Sequence, residues 1–177
     1  MPLLIHPILL FMLACAPKVP PQQRGPMIGA VAIYSITEAP SVDGFLPTPE
    51  SLIQAIGTSL EARELHMQPD EVDAVLAQRR DPELRRAWLR DQWDGQMPTA
   101  LIEVVPTRFA RIQGRTRWTV SVRITLLTQD NPPLGSNLSV PTYLRFPHEG
   151  EIEAIEAAAP RIASELGMLV DGWLATR

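Results

Sequence analysis

The sequence predicts an α/β (α+β) fold in which helices pack on a single mixed sheet of about four to five strands. Short runs rich in valine and isoleucine alternate along the chain with segments whose apolar residues recur at helical spacing. The order is strand, helix, short strand, broken helix, three strands and helix, so we expect the helices on one face of the sheet. The chain has 177 residues, of which 45 % are hydrophobic, and this fits one globular domain.

The first predicted elements are two strands and the helix between them. Residues 27–36 form an apolar run between prolines, which is typical of a strand buried on both faces and central in its sheet. A loop over residues 37–48 leads to a helix start at residues 48–50, with the Thr48 hydroxyl as N-cap and a proline in the first turn. The apolar face of this helix consists of Leu52, Ile53, Ile56 and Leu60. Residues 65–68 predict a short second strand.

The middle of the chain predicts a helix in two parts. Residues 69–71 and residues 81–83 both place a proline beside acidic residues, a pattern that favours a helix start. The second part carries Leu84, Trp88 and Leu89 among arginines. We expect this part to end near Gly95, since glycine commonly follows the last turn of a helix.

A predicted pair of long strands comes next. Residues 100–112 are mostly apolar, and Pro106 indicates that this strand either lies at an edge of the sheet or contains a bulge. Gln113 and Gly114 predict a turn. Residues 117–128 then alternate almost strictly between apolar and polar side chains, which predicts a half-buried antiparallel strand.

The chain ends in a predicted strand and a helix. A loop over residues 131–137, rich in proline and glycine, leads to a strand at residues 140–146. Apolar residues then recur at helical spacing from Ile152 to Trp173, which predicts a helix. Because Pro160 falls inside this helix, we expect a kink or two helices that meet there.

The start of the chain has the pattern of an export signal followed by a cysteine. Residues 3–14 are almost all apolar; they are too few to span a bilayer, which takes about 20 residues, but they fit the core of a secretory signal. The run Leu13-Ala14-Cys15 resembles the lipobox of bacterial lipoproteins, in which the thiol of the cysteine receives a diacylglyceryl group. We therefore expect a signal peptide over residues 1–14 and lipidation of Cys15, with palmitate as an attached acyl group.

The segment that begins at this cysteine has the composition of an extended tether. Residues 15–26 contain four prolines and no aromatic residue, so they have nothing to bury. The single α/β domain is expected over residues 27–177. Because Ala16 and not aspartate follows the cysteine, the usual sorting rule implies the outer membrane, with the domain on the periplasmic face. The membrane would then be the first partner of the chain, bound through the lipid.

Composition and motifs argue against several functions. The net charge of −4 disfavours nucleic-acid binding, which usually goes with a large basic excess. The three histidines are isolated and Cys15 would be acylated, so no metal site is predicted. No serine has a glycine elbow or a neighbouring base, and no glycine-rich phosphate loop occurs. We therefore expect no catalytic residues, no enzyme activity and no cofactor.

Arginines are concentrated in the region of the three later strands. On the outward face of a sheet they would form a basic patch that binds carboxylates or phosphates bidentately. Alternatively, arginines on an exposed sheet maintain solubility and discourage edge pairing. The residues of this candidate partner-binding patch are Arg108, Arg111, Arg115, Arg117, Arg123 and Arg145.

Two segments carry a resemblance to a group of bacterial envelope proteins. Residues 70–78 (DEVDAVLAQ) lie at the broken helix, and residues 99–104 (TALIEV) lie at the strand that follows it. Together with the element order, they resemble the penicillin-binding-protein activator lipoproteins, the curli-secretion lipoprotein and the amino-terminal domain of the Tol-system β-propeller protein. This resemblance implies an anticodon-binding-like α/β fold. The lipopolysaccharide-assembly lipoprotein of the outer membrane has a similar plan of elements.

Three functions are compatible with these observations. A non-catalytic, lipid-anchored adaptor would hold or activate an envelope protein partner by surface contact. A ligand carrier, or a lipoprotein of the lipopolysaccharide-assembly type, would instead need an apolar cavity between sheet and helices. A hydrolase would need a site assembled from distant residues, which a single sequence does not show. The sequence does not indicate the oligomeric state of the chain.

Overall fold

The structure of the chain is a computed structural model, which describes residues 29–41, 44–70, 81–129, 131–146 and 148–177. These residues form three helices and one open mixed sheet of six strands, which confirms the predicted fold class with a slightly larger sheet. The elements are β1 (Ala30–Ala39), β2 (Gly44–Leu46), α1 (Glu50–Glu61), β3 (His66–Pro69), α2 (Pro82–Gln92), β4 (Thr99–Ile112), β5 (Arg115–Thr128), β6 (Asn131–Leu144) and α3 (Glu151–Leu174). The strand order is β2-β1-β4-β5-β6, and β3 also pairs with β1.

β1 lies at the centre of the sheet, as its apolar sequence predicts. It pairs in parallel with β4 and β3 and antiparallel with β2. Its side chains are buried toward both faces, with Val31 and Ile33 on one side and Ile36 on the other. The strand continues beyond its predicted end to Ala39, and β2 pairs with that extension inside the segment predicted to be a loop.

β3 corresponds to the short strand predicted at residues 65–68. It pairs in parallel with the start of β1, and Pro69 at its end lies opposite Ile33. Pro69 is therefore a strand residue, and the helix start predicted at residues 69–71 is not otherwise tested, because it continues outside the described residues. The rest of the first part of the predicted broken helix, residues 71–80, lies outside the described residues.

The two other predicted helix starts have different outcomes. α2 begins as predicted, because the Asp81 carboxylate accepts a hydrogen bond of 2.9 Å from the Glu83 amide. The predicted Thr48 cap of α1 is wrong. The N-cap is Pro49, which has an extended backbone, and no side-chain hydrogen bond caps this end of the helix.

β4 and β5 form an antiparallel hairpin around the predicted turn. Gln113 and Gly114 both have positive φ angles, 49° and 77°, as a tight hairpin turn requires. Pro106 does not mark an edge strand, because β4 lies between β1 and β5. Since β1 pairs with β4 only as far as Val104, the missing amide of Pro106 leaves no β1 partner unsatisfied. The bulge lies further along the strand, at Phe109.

β6 is longer than predicted. The segment expected to be a loop, residues 131–137, is already strand and pairs with β5 from Thr128 onward. The prolines are tolerated there because β6 is the edge strand of the sheet and has a neighbour on one side only. The loop prediction is therefore wrong, because the segment pairs with β5 and so forms the first part of β6.

α3 is one continuous helix of 24 residues, so of the two predicted alternatives at Pro160, a kink or two helices, the two helices do not occur. Pro160 has no amide hydrogen to donate to the carbonyl of Glu156, one turn earlier. Both residues are exposed, so water can satisfy that carbonyl. The proline is thus accommodated without dividing the helix.

The sheet carries helices on both faces, which corrects the prediction that all helices lie on one face. α1 and α3 cover what we call the inner face, where the main core forms. α2 covers part of the opposite, outer face through a smaller cluster of buried residues, which consists of Leu89, Ile36, Leu101 and Leu127. Because β4 and β5 place apolar residues on both sides, each face of the sheet can bury a helix.

Candidate functional site

The part of the sheet furthest from β2 has an unusual charge balance. β4, β5 and β6 contain five arginines and one carboxylate, that of Glu103, whereas the whole chain has a net charge of −4. β6 contains no charged residue. The positive charge is therefore concentrated on β4 and β5, and the face from which each arginine projects decides what it can contact.

Half of the predicted basic patch lies on the outer face of the sheet. Arg115, Arg117 and Arg123 are two and six residues apart on β5, so strand alternation directs all three to the same side. This side is the outer face, because the main core on the inner face contains the alternate residues of β5, namely Trp118, Val120, Val122, Ile124 and Leu126. The predicted outward orientation of Arg117 and Arg123 is confirmed by this register.

The other three arginines of the predicted patch point elsewhere. Arg108 stands directly opposite Trp118 in the β4–β5 register, and Arg111 stands opposite Thr116, so both project from the inner face. Arg145 follows the end of β6, and its guanidinium lies 5.8 Å from the centroid of the Phe146 ring. The six arginines therefore do not form one surface.

Exposed aromatic residues lie beside the outer-face arginines. Phe109, the bulge residue, is 69 % exposed, and the Arg117 guanidinium lies over its ring at 4.9 Å from the centroid. Tyr143, which is 55 % exposed, stands opposite Arg117 in the β5–β6 register. We call Phe109, Arg115, Arg117 and Tyr143 the aromatic–arginine surface. The sequence pattern missed Phe109 because its direction depends on the bulge, which the local sequence does not indicate.

Two tryptophans toward the carboxyl end of α2 make contacts on the outer face of the sheet. Trp88 meets Tyr34 of β1 edge to face, with ring centroids 6.0 Å apart. The Tyr34 hydroxyl donates a hydrogen bond of 2.7 Å to Asp70; burial, together with this contact, raises the pKa of Tyr34 to about 12. Trp93, after the helix, donates its indole hydrogen to the carbonyl of Met97 at 2.7 Å. These contacts fix the position of Arg85 near the start of α2.

Arg85 forms an ion-pair network beneath α2. Its side chain is 1 % exposed, and Nη1 lies 2.7 Å from Oε1 of Glu38 and 3.0 Å from Oε1 of Glu103. Both carboxylates come from the sheet, on β1 and β4, so the guanidinium ties α2 to two strands. Such a buried charge is tolerated because it is paired and hydrogen-bonded.

Glu103 is the only carboxylate of the three long strands, and it is buried. Burial raises the pKa of its carboxyl above the ordinary value, although the Arg85 hydrogen bond and charge and the charge of Arg123 oppose this change. Its second oxygen, Oε2, is buried and has no hydrogen-bond partner. A charged residue inside the apolar run 100–105 was a sequence signal for this site, and we did not predict it.

A surface cleft of about 380 Å³ opens between the start of α2 and the outer face, and we call it the α2 cleft. Arg85 and Glu103 lie at its base, and Arg123 and Asn137 line it from β5 and β6. Nε of Arg123 donates a hydrogen bond of 3.1 Å to Oδ1 of Asn137. Arg123 therefore belongs to this cleft and stands apart from the aromatic–arginine surface.

Two other kinds of site are not found among the described residues. No group of three or more His, Cys, Asp or Glu side chains there has the arrangement of a metal site. No helix there combines the length and apolar character that a membrane span requires. Cys15, the predicted lipidation site, lies outside the described residues. The candidate sites are thus the aromatic–arginine surface and the α2 cleft.

Comparison with known proteins yields only distant structural similarity. No protein-family model and no curated protein matches the sequence. Among solved structures, the chain is similar to a minor lipoprotein from Acinetobacter baumannii, with 8 % identity, a TM-score of 0.44 and coverage of 78 % of this chain and 87 % of the other. It is also similar to rare lipoprotein B from Shewanella oneidensis, with 7 % identity, a TM-score of 0.40 and coverage of 84 % of this chain and 96 % of the other. A lipoprotein from Neisseria meningitidis is similar as well, with 13 % identity, a TM-score of 0.41 and coverage of 84 % of this chain and 99 % of the other. At these TM-scores the similarity assigns neither a family nor a function.

Proposed function

We propose that the chain is a lipid-anchored envelope protein, without catalytic activity of its own, that binds a protein partner through the aromatic–arginine surface. The observation that carries this proposal is the exposure of Phe109 of β4 and Tyr143 of β6 on either side of Arg117 of β5. Exposed aromatic rings on a folded domain favour a binding surface over a merely solvated one.

The chemistry of this surface favours an acidic protein partner. Tyrosine, phenylalanine and arginine are enriched at the centres of protein interfaces. Stacking of Arg117 on Phe109 holds the guanidinium in one orientation, so less side-chain entropy is lost when it binds a carboxylate bidentately. Arg115 adds a second cation on the same face. A partner with carboxylates around an apolar centre would complement these groups in charge and in shape.

The anchor part of the proposal depends on the sequence. A lipid on Cys15, followed by a proline-rich tether extending at about 3.1 Å per residue, would hold the domain about 30 Å from the membrane. Ala16 supports the outer membrane, on its periplasmic face, as the location. An envelope protein is the class of partner that such a position and the resemblance to the envelope lipoprotein group imply.

Charge reversal on β5 tests the adaptor function. We expect the double variant Arg115→Glu, Arg117→Glu to lose partner recovery in affinity purification after cross-linking in intact cells. Its melting temperature should stay close to that of the wild type, because the two side chains lie outside both hydrophobic clusters. Arg161→Glu on α3 is the matched control, since it reverses an exposed arginine on the other side of the domain. Equal recovery by wild type and double variant would contradict the proposal.

A carrier function is the second candidate, and one observation favours it. A cleft of about 370 Å³ beside α1 is lined largely by apolar side chains, among them Ile33, Phe45, Ile53 and Met67. This volume lies at the lower end of the range of small-molecule sites, about 300–1,000 Å³. Loss of a co-purifying apolar ligand in Ile53→Glu, with partner recovery unchanged in the β5 double variant, would favour the carrier over the adaptor.

A further inference from the structure

The α2 cleft is a second place on the outer face, with polar groups arranged in two rows. The first row runs across three strands through Glu103, Arg123 and Asn137, which are directly opposed in the β4–β5 and β5–β6 registers. The second row, one step along the strands, consists of Val105, Ser121 and Ser139. All six residues line the cleft, and Pro82 and Arg85 line it from α2.

Two polar groups in this array have hydrogen-bonding capacity that no described residue satisfies. Oε2 of Glu103 is buried without a hydrogen-bond partner, while Oε1 is bound by Arg85. Arg123 donates from Nε to Asn137, and its Nη groups have no acceptor among the described residues. A directly opposed pair on neighbouring strands has Cβ atoms about 4.5–5.5 Å apart. An acceptor and a donor are thus offered side by side, at the base of a concave surface.

The charges around the cleft argue against an ionic ligand. Its charged side chains are two arginines, Arg85 and Arg123, and two glutamates, Glu38 and Glu103. A cation near Oε2 of Glu103 would be repelled by the Arg85 guanidinium on the same carboxylate. An anion near Arg123 would meet Glu103 opposite it in the register. The ligand that fits is neutral overall and carries hydrogen-bond donors and acceptors close together.

We propose that the α2 cleft binds a saccharide. A hydroxyl group both donates and accepts, so one hydroxyl of a vicinal pair can donate to Oε2 of Glu103 while its neighbour accepts from the Nη groups of Arg123. Ser121 and Ser139 offer further hydroxyls in the second row, and Val105 offers an apolar contact for the ring. The volume of about 380 Å³ suits a short oligosaccharide segment.

Two envelope glycans share this chemistry, and a binding experiment separates them. Both probes are neutral, as the charges around the cleft require. One is a chitooligosaccharide, which has the amino-sugar unit of the peptidoglycan backbone, and the other is a neutral hexose oligosaccharide of the kind found in the outer core of lipopolysaccharide. The full-length chain is kept in a polyoxyethylene detergent, because glycoside detergents would compete for the cleft. Isothermal titration calorimetry then gives Kd for each probe, and the glycan that binds identifies the source. The choice of envelope glycans rests on the proposed location of the chain. Binding in the α2 cleft does not depend on the proposed protein partner, because the titration contains only the chain and the glycan.

Two variants test whether binding occurs in the α2 cleft. Arg123→Gln should raise Kd about tenfold, the effect of losing a hydrogen bond to a charged group. Ser139→Phe, at an exposed edge-strand position, should raise it by a similar factor because the ring fills the second row. Arg161→Gln on α3 is the control and should leave Kd unchanged.

The outcomes are decisive in both directions. Binding of either glycan that weakens in both cleft variants, while each variant keeps the melting temperature of the wild type, supports the inference. Absence of binding by the wild type at millimolar glycan overturns it, and so does a Kd that neither variant changes. Binding of a neutral tripeptide in the same cleft without binding of either glycan would also overturn it.

Discussion

The pKa of Glu103 reflects a balance between burial and an ion pair. Its contact with Arg85 at 3.0 Å stabilises the ionised carboxylate, but desolvation outweighs that contact and the pKa stays above its ordinary value. Burial of both partners explains this result, because each loses its hydration when α2 packs on the sheet. Glu38 is less deeply buried and shares the same guanidinium, so Glu103 does not have the full charge of Arg85 to itself.

We predict that Glu103→Gln changes how the stability of the chain depends on pH. A carboxyl whose pKa is raised on folding binds more protons in the folded than in the unfolded state, so folding stability falls as pH rises above the ordinary value of 4.5. Glutamine does not titrate and lacks this contribution. The free energy of unfolding of the wild type minus that of the variant should therefore decrease with rising pH, as measured by urea unfolding. A difference independent of pH would show that burial does not dominate at Glu103.

At the scale of single residues, the sequence predicts the face from which a strand side chain projects better than it predicts which residues that side chain contacts. Strand alternation places Arg117 and Arg123 correctly on the outer face, because the period of a strand is a local property. The pairing of Arg85 with Glu103 depends on where α2 lands on the sheet, which no local pattern specifies. For the same reason, the position of Phe109 beside Arg117 follows from a bulge and could not be predicted.

α3 contains a destabilising residue that its neighbours accommodate. Pro160 removes one hydrogen bond in the middle of the helix, while Ile155, Ile162 and Leu166 on the buried side keep the helix docked on the sheet. The energy of that packing exceeds the penalty of the proline, so the helix continues.

Replacement of this proline provides a test at the element scale. Pro160→Ala should increase the free energy of unfolding by about 1–2 kcal/mol, since the recovered hydrogen bond outweighs the greater entropy of the unfolded chain. Thermal or urea unfolding measures the change. Ser164→Ala, at another exposed position of the helix, is the control and should change stability by no more than about 0.5 kcal/mol. A loss of stability in Pro160→Ala would mean that the proline is needed for the shape of the helix.

The elements with strong local patterns are those that the sequence predicts well. The β4–β5 hairpin and the Asp81 cap are specified by residues adjacent in the chain. β6 was misjudged because proline, glycine and asparagine favour a loop locally, whereas the open edge of β5 pairs with the whole segment. A similar long-range pairing, between β2 and the end of β1, converts part of a predicted loop into strand.

The molecule as a whole is electrically asymmetric. The chain is acidic overall, yet β4 and β5 are basic and β6 is uncharged, so carboxylates are concentrated in the other parts of the chain. Such separation orients an approaching acidic partner toward the basic strands before contact. It also makes association weaken at high ionic strength, because exposed charges are screened beyond about 8–10 Å.

Lipidation of Cys15 is a prediction about the whole molecule and is tested in cells. Metabolic labelling with a palmitate analogue should mark the wild type, and Cys15→Ser should lose both the label and membrane attachment, since no other cysteine is present. Ala16→Asp is the matched control: it should keep the label and move the protein to the inner membrane. If Cys15→Ser still takes up label and stays membrane-bound, the proposed anchor is wrong.

Among the described residues, α2 contacts the sheet through one small cluster, the Trp88–Tyr34 ring contact and one guanidinium, whereas α1 and α3 share the main core. Local opening of the domain would therefore begin with this helix, and it would expose Leu101 and leave Glu103 without its cation in the same event. Any molecule bound between α2 and the sheet would oppose that local opening. Ligand occupancy of the α2 cleft and the stability of α2 against local opening would then report on the same equilibrium.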